Sequence, residues 1–355
     1  MARTENLTGC LTAAITPLKK DLSIDWDGSE KNLNFQLGND VIGIVPVGTT
    51  GESPTLTSEE HNLVIAKTTI FVDGEMLVLA GCGSNSTQEA LHYVEMADAV
   101  GCDGALLVDP YYIGPSSFEI RENYYWYIAR QFPRLWFVPY IIPGRTGCAL
   151  SAEDLAILAR RRNSNVIAVK EATGDRGRMI KTRILTPKGF QILSGDDDKT
   201  FEMMVDKNIK ASGVISVISN IAPGAVSDMC SCIRSGTITF LARAEEIRAA
   251  LDPLFKVVTV TTEREERIRG KTVTIKDKFR NPLPIKTMMQ GLGMPAGPCR
   301  PPLGKMTSQG VEVVRKALRD VWRDNPWVLE PIERSFPVDI EARLRDDTIW
   351  QKLAC

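Results

Sequence analysis

Eight short apolar runs constrain this chain more than any other feature. They are Leu11–Ile15, Val41–Val47, Met76–Ala80, Gly104–Val108, Leu135–Tyr140, Val166–Lys170, Phe190–Leu193 and Gly213–Val217. Each is nearly all apolar, rich in β-branched residues and closed by Gly, Pro, Asp or Ser, as a strand buried on both faces of a parallel sheet requires. Between them lie helical patterns that open on a capping residue followed by acids. Ser58-Glu59-Glu60 starts Ser58–Thr69, and Ser86–Val100, Ser116–Gln131 and Ser151–Arg161 begin alike. Ser151-Ala152-Glu153-Asp154 fits a capping box with its acid at the third helical position.

Strands alternating with helices eight times allow a closed barrel or an open doubly wound sheet. The open sheet would want a glycine-rich dinucleotide turn after its first strand. Here the first strand runs into Ile15-Thr16-Pro17-Leu18, and Gly81-Cys82-Gly83 lacks the third glycine. The pattern therefore predicts an α/β fold, a (β/α)8 TIM barrel over 1–222, with a C-terminal helical region over 223–355. Its helical stretches are Pro223–Arg234, Leu241–Val258, Pro284–Leu292 and Gln309–Arg323. An insertion at about 257–280 is charged and rich in Thr, and its alternation around Lys271–Lys276 suits a small hairpin. The tail after Asp324 mixes Trp, Pro and charge and matches no element.

Charge narrows the partners. With 43 basic and 44 acidic residues among 355, the formal net charge is -1, a balance that does not predict nucleic acid or an anionic membrane as a partner. No stretch approaches the roughly 20 apolar residues of a membrane span, and the N-terminus lacks the apolar run of a signal peptide. The 8 cysteines show no CxxC spacing; they read as reduced, mostly buried thiols of a cytoplasmic protein. Cys230 and Cys232 form a CxC pair far in sequence from His61 and His92, which argues against zinc. The expected partners are small molecules and other copies of the chain.

Barrel enzymes carry their chemistry at the C-terminal ends of strands, and that rule selects a few residues. Gly48-Thr49-Thr50-Gly51-Glu52 follows the second strand: a tight turn whose N–H groups and hydroxyls can hold a carboxylate, or a plain βα turn. Lys170 ends the sixth strand after four apolar residues. Desolvation there would leave the neutral amine that attacks a ketone, unless the side chain snorkels to solvent. Tyr140 ends the fifth strand ahead of Pro143-Gly144-Arg145-Thr146-Gly147: a proton-relaying phenol with an arginine that can clamp a carboxylate, or a core aromatic and a surface arginine. Asp109-Pro110-Tyr111-Tyr112 follows the fourth strand. Its adjacent tyrosines must point apart, one packing and one reaching outward, even into a neighbouring subunit. Ser194-Gly195-Asp196-Asp197-Asp198 reads as a polar loop and N-cap rather than a metal site, with the glycine leaving room for substrate.

Singly these motifs are weak. Their order and strand placement resemble the dihydrodipicolinate synthase / N-acetylneuraminate lyase family of class I pyruvate-dependent aldolases. Val169-Lys170-Glu171, Gly213-Val214-Ile215-Ser216 and Asn281-Pro282-Leu283-Pro284-Ile285-Lys286 extend the match, which covers roughly residues 7–320 apart from the insertion. The resemblance implies a cofactor-free and metal-free lyase, a homo-oligomer (dimer or tetramer) that forms a Schiff base between Lys170 and pyruvate. It assigns proton shuttling to Tyr140, a hydroxyl relay to Thr49 and to Tyr112 of the adjacent subunit, the pyruvate carboxylate to Thr50, and the second substrate's carboxylate to Arg145, with Gly195 and Ile215 lining the substrate site. Thr-Thr in the turn and Arg-Thr-Gly in the next loop are more similar to the synthase than to the lyase. The implied reaction is condensation with aspartate semialdehyde to give 4-hydroxy-tetrahydrodipicolinate, for lysine and diaminopimelate biosynthesis. An aldolase or dehydratase of a sugar acid or another 2-keto acid is the alternative, and a non-catalytic pyruvate-binding regulator a third reading. Ser53, His61, Asn85, Glu89 and Tyr111 resemble the lysine-feedback residues of bacterial synthases. Ser58 stands where a histidine is common and Ile141 where asparagine is, departures that bear on feedback and on the aldehyde respectively.

Overall fold

A computed structural model describes residues 7–355. Eight parallel strands close into a barrel in sequence order: β1 Gly9–Ala13, β2 Gly43–Val45, β3 Leu77–Gly81, β4 Gly104–Val108, β5 Trp136–Ile141, β6 Ala168–Glu171, β7 Gln191–Ser194 and β8 Gly213–Ser216. The ring is sealed by β8 pairing with β1, where Gly213 lies opposite Gly9. A Cβ on Gly213 would stand 1.9 Å from the Gly9 carbonyl oxygen, so this closure admits only glycine.

The strands are apolar on both faces because both faces are covered. Val138 and Tyr140 of β5 join Leu11, Val45, Leu106, Leu193 and Ile215 inside the barrel, while Phe137 and Ile141 face the outer layer of helices. The same period of two governs β6: Ala168 points in, Val169 out, Lys170 in, and Glu171 out, where it meets Arg178 at 3.2 Å. Burying each large aliphatic side chain contributes about 1.5–3 kcal/mol, which fixes strand register and with it the direction of Lys170.

Helix starts follow the capping pattern with one shift. The helix Ser58–Val72 is capped by Thr57, not Ser58: Thr57 accepts from the Glu60 N–H, and the Glu60 carboxylate accepts from the Thr57 N–H. Thr57 wins because the acid three residues on is then Glu60, which closes the box. At Ser151 only half of the box forms. Its hydroxyl caps the Asp154 N–H, but its own N–H goes to the Ser117 hydroxyl. The stretch after Ser116 holds a π-helical turn, Ile120–Trp126, within its helix.

Beyond β8, helix Pro223–Ser235 packs on β1, and helices Ile238–Phe255, Leu283–Leu292 and Ser308–Asp324 form a further layer. The insertion is an antiparallel hairpin, β9 Thr259–Ile268 with β10 Lys271–Arg280, longer than its local alternation suggested. The tail forms three short helices, Glu330–Ser335, Ile340–Arg345 and Asp347–Leu353. Its Trp350 is buried against Gly291, and its Arg343 guanidinium donates to the carbonyls of Gln290 and Gly291. Among the described residues no helix is long and apolar enough to cross a membrane.

Candidate active site

The C-terminal ends of β2, β5, β6 and β7 open into one cavity lined by Thr49, Thr50, Tyr140, Arg145, Lys170, Gly195 and Asp196. A second lobe runs from Thr49, Tyr140 and Arg145 past Leu106 and Val108 to Tyr111 and Ser53.

Lys170 does not snorkel. It is 6% exposed, and its Nζ lies 4.2 Å from the centre of the Tyr140 ring, the residue opposite it in the β5–β6 register. Burial pushes its amine down to about 8, while the carboxylates of Asp196 and Asp197 partly hold the charge in place. A Cβ at Gly195 would sit 3.3 Å from the Lys170 Cε and 2.8 Å from the Ala172 Cβ, so the glycine makes room for the lysine chain as well as for a ligand. Burial pushes the Tyr140 phenol upward, with Arg145 opposing, so it stays protonated and can donate. Ile215, expected to line the substrate site, is buried in the apolar cluster inside the barrel and is not among the residues lining either lobe.

The Gly48–Glu52 turn closes by bonds from the N–H groups of Gly51 and Ser53 to the Gly48 carbonyl and from that of Glu52 to the Thr49 carbonyl. This leaves the Thr49 and Thr50 amides without a partner in the turn. Thr50 Oγ1 accepts from Asn281 Nδ2 at 2.9 Å; its own hydrogen is then free to donate. Glu52, in the left-handed region at φ 59°, is buried and pinned: Lys286 Nζ lies 2.6 Å from one carboxylate oxygen, and the Arg300 N–H donates to the other at 2.8 Å. Lys286 also donates to the carbonyls of Thr16 and Pro298.

Arg145 reaches across the mouth and donates to the Asn281 carbonyl at 3.1 Å. Asp197, expected in a polar loop and N-cap, is buried and accepts from the Ser216 hydroxyl and the N–H groups of Val217 and Ile218, which holds β7 to β8. Burial pushes its carboxyl up to about 6. The tyrosines after β4 do diverge. Tyr111 lines the second lobe, whereas Tyr112, at φ 82°, is 89% exposed and outside both lobes, its N–H bonded to the Thr146 carbonyl. A single chain therefore gathers Lys170, Tyr140, Thr49, Thr50, Arg145 and Gly195 but leaves Tyr112 on its surface.

This geometry offers a buried nucleophilic amine, a protonated phenol above it, a hydroxyl-lined turn and an arginine at the rim. A model of the dihydrodipicolinate synthetase family matches residues 6–321. The chain belongs to that family. It is 38% identical over 315 residues to a 4-hydroxy-tetrahydrodipicolinate synthase of Methanococcus maripaludis, with 89% of this chain and 99% of the relative covered. It is 34% identical to the synthase of Thermotoga neapolitana, over 88% and 98% of the two chains. Among solved structures it is similar to the synthase of Methylacidiphilum fumariolicum, at a TM-score of 0.79 and 32% identity, covering 93% of this chain and 100% of that one. The dihydrodipicolinate synthetase match stops at 321, so the tail helices lie beyond it.

Several residues that build the site could not be assigned a task from sequence. Asn281 and Lys286 stood only within a family-like stretch, and Glu52 only as the end of a turn. Their partners are more than 200 residues away. The one local signal is a polar residue directly before a proline-bounded helix start. Of the residues resembling a feedback site, His61 stacks on Tyr93 at 3.8 Å, Tyr93 donates to Glu89 at 3.2 Å, and Ser58 sits 3.3 Å from the same phenol. Burial pushes the His61 imidazole down to about 4, so it is neutral there.

Proposed function

We propose that this chain is a 4-hydroxy-tetrahydrodipicolinate synthase acting through a Lys170 Schiff base. The observation that carries the reading is the buried Lys170 amine, with its lowered proton affinity, under the Tyr140 ring. The neutral amine adds to C2 of pyruvate and water leaves, giving an iminium that makes the adjacent methyl acidic. Loss of that proton gives an enamine, which bonds to the aldehyde carbon of aspartate semialdehyde. Tyr140 and Thr49 carry the protons between these steps as neutral hydroxyls, so the relay itself places no fixed charge beside the iminium. Attack of the semialdehyde's own amine on C2 then closes the ring and frees Lys170. Thr50 and the turn amides hold the pyruvate carboxylate, Gly195 leaves room beside Lys170 while Ile215 packs in the barrel interior, and Arg145 takes the carboxylate of the semialdehyde.

The exposed Tyr112, on strained backbone beside the Arg145 loop, suits a residue handed to a neighbouring copy, in a homo-oligomer that we take to be a tetramer of the cytoplasm. An assay of product formation from pyruvate with aspartate semialdehyde, beside sugar-acid aldehydes, tests the substrate. Turnover should be confined to the semialdehyde; preference for a sugar acid would move the chain to the aldolase branch.

A further inference from the structure

The hairpin β9–β10 stands outside the barrel, yet its base is part of the cavity wall: Thr259, Lys278 and Arg280 line it with Lys170 and Arg145. Alternation along β10 explains this. Phe279 turns the other way, toward Gly310 of helix Ser308–Asp324, opposite the buried Val260 of β9. That apolar anchor fixes the face on which Lys278 and Arg280 stand. Further along the hairpin some charges are matched, Arg264 with Asp277 and Glu266 and Lys276 with Glu263, while Arg267, Arg269 and Lys271 near the tip stand away from the cavity. Among the described residues Lys278 and Arg280 have no carboxylate partner. Arg280 instead donates to the Gly144 carbonyl at 3.2 Å, while Arg145 donates to the Asn281 carbonyl at 3.1 Å, so the two arginines latch the same two segments side by side. The cavity wall thus carries Arg145, Lys170, Lys278 and Arg280 against the single carboxylate of Asp196. This excess of positive over negative groups, with Lys278 and Arg280 exposed at the rim, gives the cavity mouth a potential that favours an anion.

We propose that Lys278 and Arg280 form a rim subsite for the carboxylate of the incoming aldehyde, backing Arg145 and setting selectivity for an anionic electrophile. The inference rests on the Schiff-base reading and adds to it the hairpin residues that recognise the second substrate. The test uses the protein with Lys278→Gln, whose side chain makes no hydrogen bond among the described residues, and Lys278→Gln/Arg280→Gln. Borohydride-trapped pyruvate adduct and the KM of each substrate are measured at low and high salt. The KM for aspartate semialdehyde should rise a few-fold in the single variant and roughly five- to twentyfold in the double, the scale of partly exposed charge contacts. Adduct yield and the pyruvate KM should hold. The salt dependence of kcat/KM for the semialdehyde should flatten in the double variant, because fewer rim charges are left to screen. An unchanged semialdehyde KM, or an equal rise for pyruvate, overturns the subsite. Absence of adduct in the unaltered protein would instead overturn the reading beneath it.

Discussion

Lys170 Nζ lies 4.2 Å from the centre of the Tyr140 ring, and the two residues are register partners on β6 and β5. The pairing is a product of strand register: one residue of slip on β6 would turn Lys170 out toward the helices and bring Val169 or Glu171 in. The proposed nucleophile and proton shuttle are therefore held by the same hydrogen-bonded ladder that closes the barrel.

Because burial leaves the Lys170 amine near 8, imine formation should rise with pH through about 8 and then level. The sign follows from the neutral form being the nucleophile: lowering the pKa enlarges its fraction, by roughly two- to threehundredfold near neutrality over an ordinary lysine. The rate of pyruvate adduct formation against pH checks this. A rise continuing toward the range of an exposed lysine would contradict it.

Asn281→Ala removes the donor that orients the Thr50 hydroxyl but keeps the backbone carbonyl that Arg145 uses. The pyruvate KM should rise about fivefold, near 1 kcal/mol for one hydrogen bond, with a smaller change for the semialdehyde. Initial-rate kinetics in both substrates separate the two.

Lys286→Met should destabilise the fold by about 3–5 kcal/mol, because it strands the buried Glu52 carboxylate. Adding Glu52→Gln should recover part of that loss, read as a positive coupling in a double-mutant cycle by denaturant unfolding. Additive losses would mean that the pair does not act as a unit.

The tail contributes through Trp350, which fills the space beside Gly291 and donates from its indole N–H to the Arg343 carbonyl. Trp350→Ala should cost about 3–5 kcal/mol as a cavity in the helical layer. It should lower the melting temperature while leaving Lys170 able to form its adduct. Loss of adduct in a folded variant would place the tail in the site's machinery.

The barrel was legible because a strand covered on both faces leaves an unbroken apolar run, and eight such runs with capped helices between them leave few architectures open. Lys170 stood out as the one charge ending an apolar run, but only the fold decides that it turns inward rather than snorkelling to solvent. Thr57 displaced Ser58 as the cap because a box depends on a partner three residues on, and two adjacent hydroxyls compete for it. The Glu52–Lys286 pair, the Asn281 donor to Thr50 and the cavity-facing side of Lys278 and Arg280 were hidden. Each depends on segments far apart in the chain, and nothing local marks a partner more than 100 residues away. Tyr112 is the converse case: local sequence allowed it to turn outward, and only the fold shows that it lies outside both lobes of the cavity.

Borohydride reduction of the protein with pyruvate, followed by peptide mass spectrometry, tests the central claim most directly. The account predicts a reduced pyruvyl adduct on Lys170 alone, lost in Lys170→Ala. An adduct on another lysine, trapping that persists in Lys170→Ala, or no adduct on the folded protein would contradict it.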